Sequence, residues 1–86
     1  MAEKEVGKVV GYFAKIGVAA ITITDGELKV GDTIHIKGHT TDFEQKVESM
    51  QIEKVNMETV KPGDDVGIKV SDRVRDHDVV YLVTED

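Results

Sequence analysis

Lys29-Val30-Gly31-Asp32-Thr33-Ile34-His35-Ile36-Lys37 returns as Lys61-Pro62-Gly63-Asp64-Asp65-Val66-Gly67-Ile68-Lys69, and this repeated phrase decides the fold. In both copies a Gly-Asp pair is followed by apolar residues at every second position. Glycine reaches positive φ without a Cβ clash, and aspartate bonds the amides of its own turn, so each phrase reads as a tight turn feeding a strand. A third copy, Arg75-Asp76-His77-Asp78-Val79-Val80-Tyr81-Leu82, carries His77 where the others carry glycine. Histidine is among the non-glycine residues enriched at positive φ. Gly31, Asp32, Gly63, Asp64 and His77 are therefore the expected structural turn residues.

Working outward from these turns, the hydrophobic period is two throughout, and no stretch sustains the i, i+3, i+4, i+7 pattern of a helix. The fold class is all-β. Strands are expected near Val6 to Phe13, Val18 to Thr24, Thr33 to Lys37, Gln45 to Val55, Asp65 to Val70 and Val79 to Val83, a spacing that suits a small closed barrel. Alternation predicts a core of Ile21, Ile23, Ile34, Ile36, Val66, Ile68, Val70, Val80 and Leu82, with Thr22, His35, Lys37, Lys69 and Tyr81 on the other face. In the long fourth strand Val47 is out of phase with Met50 and Ile52, which a bulge near Glu48-Ser49 would repair. Gly7 and Gly11 read as corner glycines that let the first strand coil. One ring of the Tyr12-Phe13 pair should face the core and the other the solvent, where it could stack on a base.

The 86 residues predict one small domain, residues 1–86, with no room for a second core. Cysteine is absent, which removes disulfides, thiolate metal sites and cysteine nucleophiles. The charged start, Met1-Ala2-Glu3-Lys4-Glu5, leads into no long apolar run, so neither a signal peptide nor a membrane span is expected and the predicted compartment is the cytoplasm. A formal net charge of −6 opposes tight, non-specific binding to phosphate backbones. His35, His39 and Asp42 lie close in sequence but form too thin a ligand set for zinc, so no metal is expected. Asp64-Asp65 and Asp76/Asp78 belong to turns, and no catalytic residue or cofactor is predicted.

Val47-x-Ser49, then Pro62-Gly63-Asp64-x-Val66-Gly67-x-x-Val70 and Val74-Arg75, resemble the second domain of translation elongation factors Tu and 1-alpha. Gly7-Lys8-Val9-Val10 and Leu28-Lys29-Val30-Gly31-Asp32-Thr33-Ile34 are similar to the opening strand and first turn-strand unit of that domain. A similar small barrel ends some collagenase-like peptidases. The resemblance implies a closed six-stranded antiparallel Greek-key β-barrel. In the full factors it sits beside a GTPase domain and helps to hold the aminoacylated end of tRNA. This chain has no G-x-x-x-x-G-K-[ST] loop, so no GTP binding is expected of it.

In those factors a glutamate and an arginine just after the bulge contact the terminal nucleotide, and Gln51 and Lys54 stand at the matching place here. Lysine lacks the planar fork of arginine. With Lys8, Lys37 and Lys69, these two are the residues expected to contact RNA or a partner. Two functions follow. The first is a non-catalytic binding module of the translation machinery, meeting tRNA, ribosomal RNA or a translation factor. The alternative is a protein-interaction accessory subunit of a separately encoded enzyme, similar to the C-terminal barrel of collagenase-like peptidases. A basic stripe through Lys8, Lys37, Lys54 and Lys69 would favour the first, and an exposed apolar patch the second.

Overall fold

The computed structural model describes residues 2–84; Met1, which opens the charged N-terminal run, and Glu85–Asp86 lie outside them. The three repeated phrases fold alike. Gly31, Gly63 and His77 take φ of 97°, 94° and 75°. In the next position Asp32, Asp64 and Asp78 accept at their carboxylates the backbone N–H of Lys29 (2.9 Å), Lys61 (3.0 Å) and Arg75 (2.8 Å). Each aspartate then donates its own N–H back to the carbonyl of that same residue. The residue at positive φ clips the turn to a distant strand: Gly31 N–H bonds the carbonyl of Val47, Gly63 that of Ile23, and His77 that of Val9.

The strands are β1 (Ala2–Phe13), β2 (Val18–Ile23), β3 (Leu28–Lys29), β4 (Thr33–Lys37), β5 (Asp42–Lys46), β6 (Met50–Ile52), β7 (Val55–Asn56), β8 (Thr59–Val60), β9 (Asp65–Lys69) and β10 (Val79–Thr84). Every pairing is antiparallel, in the order β5-β4-β10-β1-β2-β9-β6-β7, with β3 and β8 as a separate ribbon. The ring is closed by the segment that contains β5 and β6. Its first half pairs with β4 and its second half with β9, so one chain joins the two ends of the order. Gln45 completes the seam: its Nε2–H donates to the Lys69 carbonyl (2.8 Å) and its Oε1 accepts the Ser71 N–H (2.6 Å), as a peptide group of a paired strand would. Counting β5 and β6 as one bent strand gives the expected six-stranded barrel. The links from β2 to β4 and from β9 to β10 join strands that are not neighbours, which is the Greek-key signature.

The expected fourth strand, Gln45 to Val55, is corrected. It is interrupted at Val47 to Ser49 and ends in the β6–β7 hairpin. Val47 and Met50 are both buried although three residues apart, a spacing no regular strand permits, and the break that reconciles them turns the chain from β4 toward β9. The first strand is also longer than expected, because Ala2 to Glu5 pair with β10 even though all four are exposed. The predicted core residues are buried, except that Leu82 is half-buried against the others. Val6, Val9, Leu28 and Val60 join them, and no buried side-chain nitrogen or oxygen among the described residues lacks a partner.

Candidate functional site

Cross-strand register lays Gly11, Ala20, Gly67 and Gln51 in one row across β1, β2, β9 and β6. Two glycines and an alanine leave that row nearly without side chains, so the sheet is shallow there. Higher side chains surround the depression on either side, making an open groove of about 420 Å³ lined by Val10, Phe13, Ala20, Gln51, Lys54 and Gly67, with Glu53 and Asp65 at its edge. Val10 is 55% exposed and Phe13 57%, whereas Tyr12 packs against the core. A β-bulge between Val9 and Gly11 turns Val10 outward.

The polar wall is held by the β6–β7 hairpin. Gln51 pairs with Asn56 and Ile52 with Val55, leaving Glu53 and Lys54 as a two-residue turn. Both have positive φ, 50° and 67°, the geometry of a type I′ turn, which is ordinarily supplied by Asn-Gly. Non-glycine residues in that region cost on the order of 1–2 kcal/mol each. Gln51 is braced by its amide N–H to Asn56 Oδ1 at 3.0 Å.

The five sequence-predicted contact residues are not gathered into one stripe. Gln51 and Lys54 share the groove wall. Lys8 and Lys37 lie in one row, separated by Val79, and the row ends in Asp42 and Asp65. Lys69 stands at the opposite end of β9, beside Gln45, Lys46 and Ser71. Of the residues weighed for metal, His35 meets Asp42 and also Glu3, while His39 is exposed in the β4–β5 connection. Hydrogen bonds to Asp42 and then Glu3 hold the His35 imidazolium above the ordinary histidine value, and the same contact holds the Asp42 carboxyl below the ordinary carboxylate value. The groove floor has no local sequence signal because it depends on register between distant strands, whereas its walls are visible in the sequence through Gln51, Lys54 and the exposed ring of the Tyr12-Phe13 pair.

The sequence profile described as elongation factor Tu domain 2 matches residues 17–82. Over 82 residues, 94% of this chain, the sequence is 45% identical to an uncharacterized protease of Methanocaldococcus jannaschii, of which it covers 20%. Over 77 residues, 88% of the chain, it is 42% identical to a collagenase of Porphyromonas gingivalis, of which it covers 21%. The chain thus spans about a fifth of the length of these relatives. Among solved structures, the C-terminal domain of a Geobacillus thermoleovorans protein assigned to the U32 peptidases superposes with a TM-score of 0.87 at 20% identity, covering 94% of this chain and 93% of that one. A selenomethionine variant of that domain gives 0.84 at 21% identity, with 90% and 96% covered.

These relatives overturn the translation-associated reading. The relatives matched at 42–45% identity are by name a protease and collagenases, and none of those names points to tRNA, ribosomal RNA or a translation factor as a partner. The earlier expectation followed the shared Gly63-Asp64-x-Val66-Gly67 framework, which builds the turn and strand of any such barrel whatever it binds. No helix among the described residues is long and apolar enough to cross a membrane. With its profile match across most of its length and its six-stranded Greek-key barrel, the chain belongs to the elongation factor Tu domain 2 family.

Proposed function

We propose that this barrel is a non-catalytic accessory domain of a cytoplasmic collagenase-like peptidase, and that it docks on the remainder of the enzyme through the Val10–Phe13 groove. The observation that carries the reading is the 45% identity over 94% of the chain to a protease five times as long. In such a relative the other four fifths supply a large partner surface, which gives the groove a defined occupant. The groove's chemistry supports that role. Phe13 offers a large aromatic anchor, the Gly11-Ala20-Gly67 floor admits a protruding side chain, and Gln51 and Lys54 supply a polar rim.

Isothermal titration of the chain with the catalytic region of a collagenase-like peptidase from the same organism tests this. Saturable binding is expected, weakened at least tenfold by Phe13→Asp, because a charge cannot replace a desolvated ring. No binding to the peptidase region, or equal affinity in wild type and Phe13→Asp, overturns it.

A further inference from the structure

Away from the groove, the outward face of β4 gathers a second set of side chains. Alternation sends Ile34 and Ile36 into the core and His35 outward. Glu44 of β5 stands directly opposite His35, and Asp42 opposite Lys37. Glu3 reaches in from β1 across β10, its Oε2 2.9 Å from His35 Nδ1, while Asp42 Oδ1 takes the other ring nitrogen, Nε2. Tyr81 of β10 pairs with His35, the two rings 6.3 Å apart. The His35 side chain is only 14% exposed, against 37% for Glu3, so packing fixes the ring while the carboxylates above it can adjust.

One donor atom from each of Glu3, His35 and Glu44 lies within 4.8 Å of the others. Donors bound to one ion at about 2.0–2.2 Å stand roughly 3–4.3 Å apart, so a small contraction completes the set. We propose that Glu3, His35 and Glu44 bind a divalent cation of the zinc class, with Asp42 orienting the imidazole from its far side.

Two features separate this cluster from an acidic surface. The donor set is mixed, and its imidazole selects zinc or cobalt over calcium and magnesium, which prefer oxygen alone. Nε2, the ring nitrogen that does not face Glu3, is also already engaged by a carboxylate, the arrangement that holds metal-ligating histidines in place. Sheet register brings the three ligands from β1, β4 and β5, so little backbone ordering remains to be done on binding. Glu5, paired with Tyr81, adds further negative charge to the same row, and Lys37 and Lys46 flank it. On binding, the His35 Nδ1 proton passes to solvent and Glu3 turns from that proton to the ion.

The test is titration of the chelator-treated, desalted chain with Zn²⁺ against a chromophoric competitor, with circular dichroism confirming that each variant folds. One equivalent is expected to bind. His35→Gln and Glu44→Gln should each weaken binding at least tenfold, and Asp42→Asn about tenfold or more, the effect of removing an orienting partner. His39→Gln should leave affinity unchanged. Glu44→Gln alters an exposed strand residue and keeps the test open if His35→Gln does not fold. Failure to bind one equivalent, or equal losses in His39→Gln and His35→Gln, overturns the site.

Discussion

Gly7 and Gly11 lie four residues apart in the same strand, yet they should respond oppositely to alanine. A Cβ built on Gly7 falls 2.6 Å from the Thr22 carbonyl oxygen and 3.1 Å from Ile21 Cγ2. Thr22 cannot retreat freely, because it is paired with Lys8 on one side and Asp65 on the other, and its hydroxyl donates to the Asp65 carboxylate at 2.7 Å. The strain belongs to overpacking, about 1–3 kcal/mol. A Cβ on Gly11 meets only Ala20 Cβ at 3.7 Å, an ordinary contact, and Gly11 does not occupy positive φ. There, alanine narrows the unfolded ensemble and stabilises by about 0.4–1 kcal/mol. The two variants should therefore differ by at least about 1.5 kcal/mol, or about 6 °C in melting temperature at the low end of 4–8 °C per kcal/mol for a domain of this size. Urea and thermal unfolding followed by far-ultraviolet circular dichroism measure the gap. Equal stability, or the reverse order, would refute the tight β1–β2 approach on which the barrel corner is built.

Other consequences can be checked alongside it. Gln45→Ala removes both hydrogen bonds of the seam between β5 and the end of β9, and denaturant unfolding should show a loss of about 1–3 kcal/mol, at about 0.5–1.5 kcal/mol for each bond. Lys54→Gly relieves a non-glycine residue at φ 67°, so it should stabilise the fold by about 1 kcal/mol while weakening peptidase binding in the same titration, since Lys54 lines the groove. With chelator present, the difference in stability between wild type and His35→Gln should depend on pH. His35 has a raised value in the folded state, so its contribution is complete below the ordinary 6.5 and fades as pH climbs through the raised value. Asp42 is lowered, so its contribution is present above the ordinary 3.8 and fades as pH falls through the lowered value. The difference should be largest between about pH 4 and 6.5, with Glu3, Asp42 and Glu44 facing the ring alongside Tyr81 and Lys37; a flat difference across pH 4–9 contradicts the ion pairing.

What could be read from the sequence follows the range of the forces involved. The three turns were legible, His77 included, because a positive-φ residue and the aspartate after it act within four residues. The interruption between β5 and β6 was half legible: the clash of phase between Val47 and Met50 announced a bulge, but not that the chain would leave one partner strand for another and close the ring. The β6–β7 turn escaped notice because Glu53-Lys54 lacks the Asn-Gly usual at such positions. Neither the Gly11-Ala20-Gly67 floor nor the meeting of Glu3, His35 and Glu44 has a local signature. Both depend on long-range register, and in β1 that register is shifted by irregularities at Glu5/Gly7 and Val9/Gly11. The residues that suggested translation were those that make the barrel, while Gln51 and Lys54 already departed from the glutamate and arginine expected of a tRNA contact.

The proposed docking is tested most directly by mapping amide chemical shifts of the isotope-labelled chain during titration with the catalytic region of a collagenase-like peptidase, and separately with deacylated tRNA. The peptidase should move the amides of Val10, Phe13, Ala20, Gln51, Lys54 and Gly67, and tRNA should move none of them. Shifts produced by tRNA at these positions, with none produced by the peptidase, would contradict the assignment.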